Sequence, residues 1–408
     1  MMRAAFVIFG ILISTSSFGD TCKDDNDAKI DAKIEGPVAG HDQMTLTKAK
    51  FGDLPGWTDD KLAEAVPSFL SSCARLAELK DDEPVGVDGH GGIAKQWRSA
   101  CAAAAKLKAG DNPAARTFFE TEFVPFVAAG KKGPEGKLTG FDVQEVHASR
   151  KKHGKFQVPI LGRPTDLVMM DLGKFVKDGH GRHLWGRLDK DGELEPFYTR
   201  VEIRKGALAA QKLELMYADD PVDVLFAQIE GSAKAKMDDG SEVWLEFAGK
   251  NGRAYMGVGG LLKSKGALAK PGSGTMQGIR KWFVDNSSRF DEVVDDDASY
   301  VFFKESKLPG AVGSQMVILT AERSMAVDRA FIAMSTPVFV DTKAPVVGKL
   351  GSTAPWQHLL IAQDTGAGIQ GAVRGDIYWG DDRDAAERGG RMGGPGRYWV
   401  LLPKGVSK

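Results

Sequence analysis

From about residue 135 the chain becomes a series of short alternating runs broken by glycine and lysine turns, and this pattern limits its fold most. Glycine makes up 49 of 408 residues, about 12% against a usual ~7%. Such a chain favours a loop-rich, mainly β protein over a helical bundle. Strands are read at Val201 to Ile203, Val222 to Ile229, Val243 to Phe247 and Tyr255 to Val258, with a tight turn at Gly249-Lys250-Asn251-Gly252. A helix returns from Thr275 to Asn286, with Ile279, Trp282 and Phe283 on one face. Five further strand candidates follow: Tyr300 to Phe303, Met316 to Leu319, Pro337 to Val340, Leu359 to Ala362 and Tyr398 to Leu402. Their spacing suits a small closed barrel.

Upstream, the period changes to that of helices. Thr58 can cap a helix carrying Leu62, Val66, Phe69, Leu70, Cys73 and Leu76 on one face, with Pro67 kinking it. Ile93, Trp97, Cys101 and Leu107 mark a second helix. Asn112-Pro113 reads as a cap followed by a first-turn proline, opening a third helix with Phe118, Phe119 and Phe123. Residues 23–45 are polar and charged, as a solvated tether would be. Before them, Arg3, the apolar run Ala4 to Ile13 and small residues around Ser17 and Gly19 form an export signal, too short to anchor in a bilayer. An exported chain meets an oxidising compartment, where Cys73 and Cys101 either pair or stay as buried helix thiols.

The chemistry concentrates between Asp364 and Trp379. Two carboxylates, Asp364 and Asp376, bracket a glycine-rich loop. The run Leu359 to Ala362 leads into it, and Ile377 to Trp379 leads out. Each acid therefore sits at the edge of a β element, where a rigid scaffold can aim it into a groove. Acids beside aromatics at a groove suit glycosidic-bond chemistry.

Several other readings fall away. Gly366-Ala367-Gly368-Ile369-Gln370-Gly371 spells a dinucleotide fingerprint, but no helix opens after it and only 37 residues remain, so no nucleotide is expected. Net charge is −1, leaving no basic excess to hold nucleic acid. The acidic run Asp291 to Asp297 lacks the alternating ligands and central glycine of a calcium loop and reads as a solvated turn. His180 and His183 have no further ligand near them in sequence, so no metal site and no cofactor is expected.

An ordered set of motifs resembles the MltA-type lytic murein transglycosylases, with their C-terminal three-aspartate domain. It begins with Leu54-Pro55-Gly56-Trp57, Ser72-Cys73, Trp97 with Ala100-Cys101, and Phe118-Phe119-Glu120. It continues through Thr139-Gly140, Phe197-Tyr198-Thr199-Arg200, Gln228-Ile229, Gly231-Ser232 and Asn251-Gly252 with Tyr255. It ends with Ser299 to Phe303, Arg323 to Arg329, Asp364 to Gly380, and Trp399 to Pro403.

The resemblance implies an α+β chain, mainly β with N-terminal helices. A double-psi β-barrel domain and a smaller inserted β domain would flank a groove. The segments would be a signal at 1–19, a tether at 20–45, helices packing on the barrel at 46–147, the inserted glycan-binding domain at 148–290, and the catalytic three-aspartate barrel at 291–408. It further implies cleavage of peptidoglycan between N-acetylmuramic acid and N-acetylglucosamine with formation of 1,6-anhydro ends. Asp376 would be the general acid, with Asp364 and Asp328 as the other two aspartates. Thr139, Gln228, Ser232, Asn251 and Tyr255 would contact the glycan. The location would be periplasmic, where attachment to the outer membrane or to other cell-wall enzymes is open. The alternative is a non-catalytic, expansin-like wall binder on the same barrel.

This chain departs from the family pattern in four places. Thr-Gly-Tyr-Tyr-Glu-Pro is here Thr139-Gly140-Phe141-Asp142-Val143-Gln144, and Gln-Gly-Ser-Gly is Glu230-Gly231-Ser232-Ala233, which adds a charge near the presumed glycan path. Ile-Pro-Leu-Gly is Ile332-Ala333-Met334-Ser335, and the Gly-x-Gly after the catalytic strand is Gly380-Asp381-Asp382.

Overall fold

A computed structural model describes residues 43–176, 183–268, 273–366 and 368–406. The export signal, nearly all of the tether and His180 lie outside the described residues. Among the described residues, no helix is long and apolar enough to cross a membrane.

The chain opens with β1 (Thr45–Lys48), then α1 (Val66–Leu76), α2 (Ala94–Ala104) and α3 (Asn112–Glu122). Next come β2 (Phe123–Ala129), β3 (Gly136–Phe141), β4 (Gln144–Ser149), β5 (Val158–Leu161), β6 (Val168–Asp171), β7 (His183–Leu188) and β8 (Leu194–Pro196). They are followed by α4 (Arg200–Arg204), β9 (Glu214–Ala218), α5 (Pro221–Glu230), β10 (Ser232–Met237), β11 (Glu242–Lys250), α6 (Val258–Ser264), α7 (Met276–Asp285) and α8 (Phe290–Val294). The last part holds β12 (Val301–Glu305), β13 (Ser324–Val327), β14 (Pro337–Pro345), β15 (Thr353–Asp364), β16 (Arg374–Tyr378), α9 (Arg383–Gly389) and β17 (Gly393–Pro403).

Six strands close on themselves in the order β17-β14-β15-β13-β16-β3, with β3 returning to β17. The β13–β15 and β16–β3 pairs are parallel and the others antiparallel. This is the double-psi β-barrel. Strand alternation sorts its side chains into two layers. Val338, Val340, Leu360, Ala362 and Val400 fill one buried cluster with Leu138 and Ile377. Their neighbours Phe339, Leu359, Ile361, Trp399 and Leu401 join Phe69, Trp97, Phe118 and Phe119 in the other, where the helices pack on the barrel. A second sheet, β12-β11-β10-β4-β9-β5, and a three-stranded sheet, β6-β7-β8, lie between β3 and β13 in sequence. Because β4 and β12 belong to that second sheet, it reaches past the 148–290 boundary at both ends.

Cys73 on α1 and Cys101 on α2 form a disulfide, with Cα atoms 5.6 Å apart. It closes a loop over a sequence separation of 28 residues, so reduction is expected to cost about 3.5 kcal/mol. Denaturant titration with and without reductant, against a Cys73→Ala/Cys101→Ala variant, measures this. Equal midpoints would rule the contribution out.

Several sequence readings are corrected. Pro67 falls in the first turn of α1, after a short 3-10 turn at Leu62–Ala65, where its missing N–H costs nothing, so no kink results. Asp111, not Asn112, caps α3 and accepts from Ala114 N at 3.0 Å; Asn112 instead accepts from Ala63 N at 3.0 Å. Residues 201–203 belong to α4 and 222–229 to α5. The β-branched residues of α5 are apolar on two faces because the helix is buried on both. Val224 and Ala227 meet the six-stranded sheet, while Val222, Leu225 and Phe226 meet α6, α7 and α8. Its ends are capped: Asp220 accepts from Val222 N at 2.8 Å, Pro221 follows, and Gly231 takes φ +76 just beyond the helix.

No strand forms at 255–258 or 316–319, and 300–303 contributes to β12 of the second sheet rather than to the barrel. Met316 sits at φ 61, which strand geometry excludes. The acidic run is no solvated turn. Asp291 and Asp295 pair with Arg204, Asp296 with Lys265, and the buried Asp297 with Arg200.

Candidate active site

The three aspartates meet at one end of the barrel because β13 lies between their strands. Ala326 of β13 registers with Asp364 of β15 on one side and with Asp376 of β16 on the other. Two strand spacings separate the acids, roughly 10 Å between backbones. Asp328 follows β13 directly.

Their partners differ in kind. Asp328 accepts from Ala330 N at 2.9 Å and from Gly371 N at 2.7 Å, so its carboxylate holds the glycine-rich loop against β13. Gly371 takes φ +126 to present that N–H, a conformation other residues rarely adopt. Asp364 accepts at one oxygen from Ser314 N and Thr365 N, both at 2.8 Å. Burial pushes its carboxyl up to about 6; the Ser314 and Thr365 N–H groups oppose this, and the Asp376 charge adds to it.

Asp376 accepts from the Thr139 hydroxyl at 2.6 Å, and among the described residues no backbone N–H reaches it. Thr139 is its register partner across the parallel β16–β3 pair. Burial pushes the Asp376 carboxyl up to about 6, against the Thr139 hydrogen bond and the charges of Arg374 and Lys137. A carboxyl held there keeps part of its population protonated near neutral pH and can give up that proton.

The expected glycan contacts sort unevenly. Thr139 is in the site, on Asp376. Gln228 is buried, its amide oxygen accepting from Arg200 at 2.6 Å. Asn251 is 1% exposed and all its amide hydrogen bonds are taken by backbone. It donates to Tyr198 O and Ala298 O at 2.8 and 2.7 Å and accepts from Arg253 N and Tyr300 N at 3.3 and 2.9 Å. It therefore clasps three chain segments and has nothing left for a sugar. Ser232 is buried at the start of β10. Tyr255 is half-buried, its phenol pushed up by burial, by Asp297 and by Glu230.

Two carboxyls join the site that chain-order reading did not assign a role. Asp142, in the short link between β3 and β4, is pushed up to about 7 by burial, against Arg280. Glu230, the last residue of α5, is pushed well above the usual carboxylate range by burial and then by Asp376, Asp142 and Asp364. The only signal in the sequence was that each stands where the family pattern has a neutral residue. Away from this site, His147, Asp219 and Asp223 have ligand atoms within 4.8 Å of one another, but Lys155 pairs with Asp219 and Arg280 with Asp223.

Comparison with known proteins gives a consistent picture. The MltA specific insert domain matches residues 137–304 and the 3D domain matches residues 323–402. The membrane-bound lytic murein transglycosylase A of Escherichia coli (strain K12) is 29% identical over 269 residues, 65% of each chain. The match thus spans just under two thirds of that relative's length. The crystal structure of a membrane-bound lytic murein transglycosylase from Agrobacterium tumefaciens is similar with a TM-score of 0.77 at 30% identity, covering 88% of this chain and 98% of that one. The monoclinic crystal structure of MltA from Neisseria gonorrhoeae gives 0.73 at 30% identity, covering 92% and 96%.

Proposed function

This chain belongs to the MltA family, and from that membership and the setting of Asp376 we propose that it is a lytic transglycosylase of peptidoglycan. The observation that carries the proposal is the setting of Asp376, a half-buried carboxyl on a barrel strand that accepts from the Thr139 hydroxyl at 2.6 Å and that burial pushes up to about 6. Asp376 donates its proton to the oxygen bridging N-acetylmuramic acid and N-acetylglucosamine. The bond from that oxygen to C1 of the muramic acid breaks, and the C6 hydroxyl of the same sugar bonds to C1. The carboxylate takes up the hydroxyl proton, so the acid is restored and no water is consumed. One acid suffices here, where a hydrolase needs two. We assign Asp364 to tuning that acid, Asp328 to holding the loop, and Asn251 to the scaffold. The glycan would lie between the barrel and the sheets inserted between β3 and β13, in the cell envelope, after export directed by the N-terminal segment.

Isolated murein sacculi digested with the purified protein, with mass spectrometry of the fragments, test this reading. Anhydro ends are expected. Reducing muramic ends would instead make the protein a hydrolase using Asp364 and Asp376, and binding without fragments would make it an expansin-like wall binder.

The acid works in its protonated form, so turnover is expected to be highest below pH about 6 and to fall as pH rises through that value. The Thr139 hydrogen bond lowers the pKa of Asp376. Thr139→Val therefore moves the falling limb to higher pH, which a pH–rate profile on sacculi reads directly. An unmoved limb would mean that Asp376 is not the titrating acid.

A further inference from the structure

Asp364 is held by a loop that belongs to neither sheet. Residues 313–316, between β12 and β13, lie across the end of β15. Ser314 N donates to the Asp364 carboxylate at 2.8 Å, and Gln315 N donates to Gln363 O at 3.1 Å. The approach is close, since a Cβ on Gly313 would come within 2.5 Å of that carbonyl oxygen. The side chains of the loop and its neighbours supply the rest of its hold.

That hold is a buried chain of hydrogen bonds starting at α1. Alternation along β15 turns Gln363 toward α1 and Asp364 the other way. The Gln363 amide nitrogen reaches Ser68 O, Ser71 Oγ and Ser72 Oγ at 2.8, 3.0 and 2.9 Å. Its amide oxygen accepts from Ser324 Oγ at 2.6 Å. Ser72 has a single proton to give, and it goes to Gln315 Oε1 at 2.8 Å. This fixes the Gln315 amide, whose nitrogen donates to Ser335 Oγ at 2.5 Å. Ser72, Ser324 and Gln363 are 0% exposed and Ser335 1%, so bulk water does not replace a lost partner. Ser335 stands where the family pattern has glycine, and it holds φ 77, a conformation that suits glycine. What serine adds there is a hydroxyl, and that hydroxyl receives Gln315.

We propose that Gln315, clamped between Ser72 and Ser335, is a positioning residue of the reaction, keeping the Ser314 N–H on Asp364 across β13 from the proton donor Asp376. This rests on the glycan-cleaving reading and deepens it. Asp364 couples to Asp376 and to Glu230, while Arg374 and Lys137 act on Asp376. Without the Ser314 N–H, Asp364 binds its proton more readily, and in its neutral form it no longer raises Asp376. The falling limb of the pH–rate profile then moves to lower pH, opposite to the effect of Thr139→Val.

Gln315→Met keeps the side chain's length and removes both of its hydrogen bonds. Ser335→Gly suits the backbone and removes only the acceptor. In both variants the amides of residues 311–319 are expected to exchange with deuterium about tenfold faster, read by mass spectrometry of the fragments. Both should move the falling limb on sacculi to lower pH, and neither should move it further in an Asp364→Asn background. Leu76→Ala, buried on α1 but outside this chain of bonds, should lower the denaturant midpoint and leave the limb in place. A limb unmoved by Gln315→Met or Ser335→Gly overturns the proposal. So does one moved equally by Leu76→Ala, or a shift that persists without the Asp364 carboxylate. The exchange measurement needs no turnover. Faster exchange in both variants, with no fragments released from sacculi by the wild type, would reject the enzymatic reading while upholding the clamp on Asp364.

Discussion

Asp376→Asn is expected to lower kcat on sacculi by about 10²–10⁴-fold, the range for loss of a positioned general acid, with the fold unchanged. Asparagine fills the same space and its amide oxygen can still accept from Thr139, which now donates at 2.6 Å. The buried charge also disappears, so stability should hold or rise slightly. Circular dichroism and the denaturant midpoint check the fold, and fragment release checks turnover. Asp364→Asn is the informative companion. The Asp376 charge raises Asp364, and such coupling is reciprocal, so the change should shift the pH profile more than the maximal rate while leaving Asp376 in place. Full turnover by Asp376→Asn would reject the mechanism.

Asp60→Ala is expected to cost about 3–5 kcal/mol of stability, the largest structural effect of any single change considered. Asp60 and Arg323 are 5% and 2% exposed and face each other across the junction of helices and barrel. The Arg323 guanidinium reaches both Asp60 oxygens, at 2.8 and 3.1 Å. Leu359 N donates to the same carboxylate at 2.7 Å, and His358 Nδ1 lies 3.0 Å away. Removing the carboxylate leaves buried Arg323, among the described residues, with only the exposed Glu64 as an acid partner, at 2.9 Å, and takes the acceptor from a backbone donor and an imidazole. Urea titration of Asp60→Ala against wild type reads the loss.

The pH dependence of this junction has a definite sign. Burial raises the Asp60 carboxyl, but the bonds to His358 and Arg323 outweigh it and hold the group below its ordinary 3.8. The stabilisation is therefore fully present above about pH 4 and disappears as pH falls through the folded-state value. The deficit of Asp60→Ala should shrink in acid; a deficit constant with pH would mean that packing, not charge, is lost.

Much of the architecture was legible. The 3.6 spacing of Phe69, Cys73 and Leu76 and the Thr275 start mark helices through contacts within a turn or two. The short continuous apolar runs Pro337 to Val340 and Leu359 to Ala362 mark barrel strands buried on both faces. Local patterns failed where burial on two sides erased the period, as in α5, and where a strand was too short to alternate visibly, as in β13.

The sequence by itself determined the mainly β class, the helical cap and the glycine loop with its acids, because these follow from backbone preference and spacing among near neighbours. Only the tertiary structure decided that Ala326 sets Asp364 and Asp376 on either side of one strand, and that Arg323 finds Asp60 across 263 residues. It alone places Glu230 of α5 where the charges of Asp376, Asp142 and Asp364 act on it. The physical reason is that proton affinity and ion pairing depend on charge and burial in space. Those are set by strand register and by contacts between segments hundreds of residues apart, which no window along the chain contains.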